Sequence, residues 1–255
     1  MNAKLTALVT GASSGIGMAT ARLFAQKGIR LILCGRREER LQQLTNELQN
    51  LTSLTYLVFD VSDKDRTLQQ IQNLPPEWQN IDILVNNAGN AHGLAPTHLA
   101  DLTDWELMMD VNVKGLMYVS KAVIPQMVKR QSGHIVNISS IAGKEVYPNG
   151  NGYCASKFAV DALSKAMRLD LNPYNIKVTT ISPGMVETEF SVVRFKGDAQ
   201  KAQSVYKGFK PLTAQDIADT IYYAVSCPAH VQIADLVVFP TAQASSTLVK
   251  RNNLD

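Results

Sequence analysis

Apolar residues along the chain fall into short, nearly unbroken runs, separated by stretches in which they recur every three or four positions. Runs of that length mark strands buried on both faces, and the slower recurrence marks amphipathic helices. Strands are therefore expected at 5–9, 30–34, 54–59, 81–85, 133–138, 177–181 and 236–239. Helical patterns follow the first strand as far as Lys27 and then cover 36–50, 103–130, 153–170 and 213–226, with Pro125 a kink inside the long third one. Strands alternating with helices imply an α/β fold, a single Rossmann-type doubly wound parallel sheet flanked by helices. Segment 186–210 breaks the alternation with mixed polarity and weak periodicity, and is expected to be a lid over a substrate. The tail 241–255 suggests at most an oligomer contact.

Composition narrows the class. The 255 residues, 45% hydrophobic and 18% charged, suit one domain spanning 1–255 with a sizeable core. A net charge of +3, dispersed along the chain, gives no footprint for nucleic acid. No apolar run is long enough for a transmembrane span, and the N-terminal apolar stretch is too short for a signal peptide, so a cytoplasmic protein is expected. Cys34, Cys154 and Cys227 are odd in number and far apart, which suggests reduced thiols. His92, His98, His134 and His230 lack metal-ligand spacing and read as loop or surface residues; no metal site is expected.

The first strand runs into Thr10-Gly11-Ala12-Ser13-Ser14-Gly15-Ile16-Gly17 and then a helix. A strand, a glycine-rich turn and a helix N-terminus form a ready site for a pyrophosphate. Gly11 would make the tight turn, Gly15 would let the backbone approach the phosphates, and Gly17 would let helix and strand pack closely. The second strand ends at Gly35-Arg36-Arg37, where an acidic residue would hydrogen-bond the ribose of NAD. Two arginines there favour a 2′-phosphate, hence NADP, unless they merely open the charged helix behind them. Asp60, followed by Val61, could meet an adenine amino group, though Ser62 or Asp63 as a helix N-cap also accounts for that neighbourhood. Asn86-Asn87-Ala88-Gly89 closes the fourth strand, where small residues would admit a cofactor and a simple turn would use the same types. The turn after the sixth strand, Ser182-Pro183-Gly184-Met185-Val186-Glu187-Thr188, places a hydroxyl at Thr188 within possible reach of a pyrophosphate.

The fifth strand ends at Ser139-Ser140, and the helix after it opens with Tyr153-Cys154-Ala155-Ser156-Lys157. Tyr153 and Lys157 then lie one turn apart on one face. A phenol, with an ordinary pKa of about 10, is a poor proton donor near neutrality, and a nearby ammonium would lower it. Ser140 could hold a substrate oxygen against that phenol. Asn112, flanked by Val111 and Val113, is either a satisfied core amide or the holder of a water that relays protons to Lys157. Two surface residues on an ordinary helix would show the same Tyr–Lys spacing.

Taken in order, Thr-Gly-x-x-x-Gly-Ile-Gly, Asn-Asn-Ala-Gly, the in-helix asparagine, serine, Tyr-x-x-x-Lys and Pro-Gly resemble the short-chain dehydrogenase/reductases over essentially the whole chain. The resemblance implies a catalytic tetrad of Asn112, Ser140, Tyr153 and Lys157. It also implies a cofactor groove formed by Gly11, Ser13, Gly15, Ile16, Gly17, Arg36, Arg37, Asp60, Val61, Asn87, Pro183, Val186 and Thr188 together with Tyr153 and Lys157, and homotetramers built on the helices carrying Asn112 and Lys157. The stretch Glu189-Phe-Ser-x-Val-Arg194-Phe-Lys-Gly-Asp198, with His230-Val-Gln-Ile and Pro240-x-x-Gln243, is similar to an NADP-dependent subgroup acting on 3-hydroxy acids. In that reading Arg194 would clamp a substrate carboxylate; otherwise it only ties the lid to the body. A reductase for uncharged carbonyls, and an NADP-binding regulator without catalysis, are the alternatives.

Overall fold

The apolar runs pair side by side in parallel, and the pairing fixes the architecture of the computed structural model, which describes residues 5–252. β1 (Thr6–Thr10) pairs with β2 (Arg30–Gly35) on one side and with β4 (Ile83–Asn86) on the other. β3 (Leu54–Val58) extends the sheet beyond β2; β5 (Gly133–Ile138), β6 (Ile176–Pro183) and β7 (Asp235–Val238) extend it beyond β4. The order is β3-β2-β1-β4-β5-β6-β7, seven strands, all parallel. This is the doubly wound α/β sheet that the alternation implies.

Alternate residues of each strand serve opposite faces. Ala7, Val9, Leu31 and Leu33 pack with Phe24 of α1 (Gly15–Gln26), Leu41 and Leu44 of α2 (Glu38–Leu48) and Ile217 of α9 (Ala214–Ser226). Leu8, Ile32, Leu84 and Ile135 pack on the other face with Ile71 of α3 (Lys64–Gln72), Val119 and Val123 of α5 (Leu116–Arg130) and Leu171 of α6 (Asn151–Leu171). Both faces of the central strands are buried, mostly by apolar side chains, which is why the strands read as runs and not as alternations.

Three features depart from the sequence reading. The helix expected over 103–130 is three pieces: α4 (Leu102–Met109), a π-helical turn at Asp110–Gly115, and α5. Pro125 sits inside the last piece, α5, within the helix as expected, and does not end it, because Val123 and Met127 on either side are wholly buried and that packing outweighs the local cost. α3 had no counterpart in the apolar pattern; Asp63 caps it, its carboxylate accepting from the Arg66 N–H at 3.0 Å. His134 is no surface residue but lies buried in β5.

Segment 186–210 holds two short helices, α7 (Phe190–Arg194) and α8 (Ala199–Ser204). The tail folds back onto this segment: the Asn252 N–H donates to the Gly208 carbonyl at 2.8 Å, and the Arg251 guanidinium bonds the Val205 and Lys207 carbonyls. Residues 253–255 of the tail lie outside the described residues. Among the described residues no helix is long and apolar enough to cross a membrane.

Candidate active site

A cleft of about 540 Å³ opens at the carboxyl ends of the central strands. It lies where the strand order reverses, between β1 and β4, the place where open parallel sheets leave a crevice.

The glycine-rich turn forms one wall. Gly11 has φ 66°, and a Cβ there would lie 2.9 Å from the Asn87 amide nitrogen and 3.0 Å from the Ala88 backbone. Asn87 in turn donates from its side chain to the Thr10 carbonyl at 2.9 Å, tying the end of β4 to the end of β1. Gly15 has φ 51° and faces Thr188. Gly17 does not line the cleft. A Cβ there would fall 2.4 Å from the Gly11 carbonyl oxygen, so Gly17 works behind the turn, packing α1 on β1, and is corrected from a cofactor contact to a packing residue. Ser14 stands at the N-cap of α1 but makes no side-chain cap, so no side chain competes for the N–H groups of the first turn. A dinucleotide phosphate fits this wall.

The arginine pair lies beside it. Arg36 extends into solvent and pairs with Asp60 at 3.1 Å. Asp60 also accepts from the Ser62 N–H at 3.0 Å and the Ser62 hydroxyl at 2.7 Å. Burial pushes its carboxyl up, but the Ser62 hydrogen bonds and Arg36 outweigh that and hold it below its ordinary value. Arg37 bends inward, donating to the Ser13 hydroxyl at 3.1 Å, the Ser14 hydroxyl at 2.7 Å and Glu189 at 2.9 Å. Ile16, Val61, Pro183, Val186 and Thr188 complete the lining.

β5 and α6 form the other wall. Ser139 commits its hydroxyl to the Lys157 backbone carbonyl at 3.2 Å, whereas the Ser140 hydroxyl accepts from the Ala142 N–H at 3.1 Å and stays half-buried at the cleft. Tyr153 and Lys157 both face the cleft from α6. The Lys157 ammonium donates to the Ile138 carbonyl at 3.0 Å and lies 5.9 Å from the centre of the Tyr153 ring. Burial pushes Lys157 down to about 8. It also pushes the Tyr153 phenol above its ordinary value, assisted by Tyr147 and opposed by Arg194 and Ser140. The expected lowering by Lys157 is therefore not what governs this phenol: burial dominates, and the cation acting on it most is Arg194 of segment 186–210.

Asn112 lies in the π turn, an irregularity that recurs at functional sites. Both amide hydrogens are used, on the Asn90 carbonyl at 2.9 Å and the Ser156 hydroxyl at 3.0 Å, and its oxygen accepts from the Asn90 N–H at 2.8 Å. The side-chain amide is thus satisfied within the protein. It also holds the loop after β4 in place: a Cβ on Gly89 would lie 3.1 Å from the Asn112 oxygen and 3.5 Å from the Lys157 nitrogen.

Arg194, at the end of α7, covers the site. Its guanidinium donates to the Tyr147 hydroxyl at 2.7 Å and sits 4.8 Å from the centre of the Tyr153 ring and 5.5 Å from that of Phe190. Its Nε is buried with no hydrogen-bond partner. Sequence reasoning singled out neither Tyr147 nor Phe190, and neither Ser14, Arg40 nor Glu189 on the cofactor side. Glu189 is 152 positions from Arg37, so no local pattern could have joined them.

The short chain dehydrogenase family pattern matches residues 5–199. The chain belongs to that family. This family member is 46% identical over 242 residues to the NADP-dependent 3-hydroxy acid dehydrogenase YdfG of Escherichia coli (strain K12), covering 94% of this chain and 97% of the relative. It is 43% identical over 239 residues to the serine 3-dehydrogenase of Agrobacterium fabrum, covering 94% and 95%. Among solved structures it superposes with a TM-score of 0.91 on the closed form of a serine dehydrogenase complexed with NADP⁺, at 44% identity, covering 98% of this chain and 100% of that one.

Proposed function

We propose that this dehydrogenase interconverts a small 3-hydroxy acid, of the serine, allo-threonine or 3-hydroxypropionate type, with the matching oxo acid or semialdehyde, using NADP(H). The observation that carries the reading is the Arg194 guanidinium held over the Tyr153 ring, with a buried N–H that no protein group accepts. A buried donor left unpaired is costly, and a substrate carboxylate would satisfy it through a charge-assisted hydrogen bond. The similarity to enzymes named for 3-hydroxy acids and serine supports the same substrate class.

Each residue then has a task. The bound cofactor supplies hydride transfer to or from the substrate carbon. Gly11, Ser13, Gly15 and Ile16 would hold its pyrophosphate side, Arg36 and Arg37 its 2′-phosphate, Asp60 and Val61 its adenine side. Asn87, Lys157, Pro183 and Val186 would hold its nicotinamide half, and the Thr188 hydroxyl, facing Gly15, its pyrophosphate. Tyr153 gives a proton to the substrate oxygen in reduction and takes it back in oxidation. Ser140, its oxygen already held by the Ala142 N–H, spends its own proton on a long 3.5 Å contact to the Pro183 carbonyl, which the substrate oxygen would replace. A protonated Lys157 favours the phenolate, which offsets part of the burial acting on Tyr153. Asn112 is a positioning residue that fixes the Gly89–Asn90 turn against Lys157, the end of the route by which a water would relay protons. Segment 186–210 is the lid, and its closure excludes water and delivers Arg194.

Arg194 already spends one N–H on Tyr147 and is framed by Phe190, which favours a second reading: a reductase for uncharged carbonyls in which Arg194 only closes the lid. Initial rates with NADP⁺ and L-serine, L-allo-threonine or 3-hydroxypropionate, set beside their methyl esters and a neutral secondary alcohol, separate the two. Turnover of the acids but not the esters supports the carboxylate clamp; turnover of esters and neutral alcohol alone removes it. We further propose a cytoplasmic homotetramer. Exposed Met117, Phe158 and Leu169 on α5 and α6 supply apolar surface for such contacts, and all three cysteines are free thiols.

A further inference from the structure

Glu189 stands within the lid at the N-cap of α7, and Arg194 ends that helix. Its carboxylate accepts from Arg37 at 2.9 Å and from Arg40 at 2.6 Å. Both arginines stand at the start of α2, directly after the β2 strand end where the 2′-phosphate reading places its anion. They hold the Glu189 carboxyl below its ordinary value, so it carries its charge at neutral pH. An anion from the chain itself therefore occupies the cations that an incoming phosphate needs. Arg37 also donates to Ser13 and Ser14. Of its five N–H groups only one, on Nη1, is left over, too few for a bidentate grip on a phosphate unless one of these contacts is given up. The hydroxyls lie in the glycine-rich turn, close to their anchor, and a carboxylate beside a phosphate dianion is the contact that repulsion would break.

Resting on the NADP reading above, we propose that Glu189 is a specificity-determining residue: its carboxylate stands in for the 2′-phosphate on Arg37 and Arg40, and NADP(H), but not NAD(H), displaces it. Arg40 is then a second phosphate cation that the sequence pattern did not single out. Displacement also frees the start of the five-residue helix whose other end carries Arg194, so occupancy of the cofactor's phosphate pocket is felt at the substrate cation. NAD(H) leaves Glu189 in place and the lid tied to α2.

The test is calorimetric titration of the full chain, as wild type, E189Q, R37A and R37A/E189Q, with NADP⁺ and with NAD⁺. The three groups are half-exposed, and such pairs are individually weak. E189Q is therefore expected to tighten NADP⁺ by roughly two- to five-fold, to leave NAD⁺ unchanged, and to lose the gain when Arg37 is also removed. Unchanged or weaker NADP⁺ binding in E189Q, or an equal gain for both cofactors, would overturn the proposal. R37A tests the underlying assignment separately. Loss of NADP⁺ affinity there, with no gain in E189Q, overturns the stand-in role and leaves the 2′-phosphate site standing. No change in the NADP⁺/NAD⁺ ratio in R37A overturns both.

Discussion

The Arg194 guanidinium lies 4.8 Å from the centre of the Tyr153 ring, so the cation at the end of α7 is set against the face of that phenol. In the proposed function this pairing would join substrate recognition to proton transfer. Replacing Arg194 with Gln is expected to lower kcat/KM for a 3-hydroxy acid roughly 10- to 100-fold, the loss of one or two charge-assisted hydrogen bonds. Turnover of a neutral secondary alcohol should change far less. Steady-state kinetics on both substrates decides it, and parallel losses would assign Arg194 to lid structure.

Tyr153→Phe removes the phenol hydroxyl proposed as the proton donor and keeps the ring that packs on Phe190 at a centroid distance of 5.5 Å. Turnover should fall roughly 10²- to 10⁴-fold while NADP⁺ affinity, read by titration, stays near that of the wild type. A variant with near-normal kcat would remove Tyr153 from the chemistry.

Gly17→Ala puts a methyl 2.4 Å from the Gly11 carbonyl oxygen, a backbone atom that cannot move without shifting the turn. Overpacking of this kind costs about 1–3 kcal/mol. The denaturation midpoint should drop accordingly, and NADP⁺ binding should weaken because the turn is displaced. An unaltered midpoint would mean that α1 slides on β1 without cost.

His134 predicts an acid-side loss of stability. Thr179 spends its hydroxyl proton on the Ile233 carbonyl at 2.6 Å, so the His134 Nε2 must carry the proton it shares with Thr179 at 2.8 Å. Its Nδ1 is then bare, buried and without a partner. Burial pushes the imidazole down to about 3 from 6.5, so the unfolded chain takes the proton first. The contribution is complete above pH 6.5 and is lost as pH falls from there towards 3, by about 1.4 kcal/mol per unit. Urea unfolding at pH 7 and pH 5 should show a steeper loss in the wild type than in His134→Gln. Parallel slopes would mean that the folded site accepts the proton.

Strand positions were legible because parallel strands buried on both faces leave continuous apolar runs, and β5 at Gly133–Ile138 matches its run to the residue. The turn, the arginine pair and the Tyr–Lys spacing were equally open to view, each depending on residues within a few positions of one another. The break in the long helix was not. A π turn at Asp110–Gly115 is chosen by what Asn112 bonds to, Asn90 and Ser156, and those contacts are tertiary. His134 was misplaced for a similar reason: a polar residue in a strand looks like an exposed position until Thr179 on the neighbouring strand supplies its partner.

Sequence by itself thus determined the fold class, the family and the order of the chemical groups, because periodicity and spacing act over short range. Only the tertiary structure decided which groups meet. It brought Arg194 over Tyr153, 41 positions back in the chain, and Glu189 onto Arg37, 152 positions back. It also set the Tyr153 phenol and the Lys157 ammonium by burial, which depends on everything packed around them and on no local pattern.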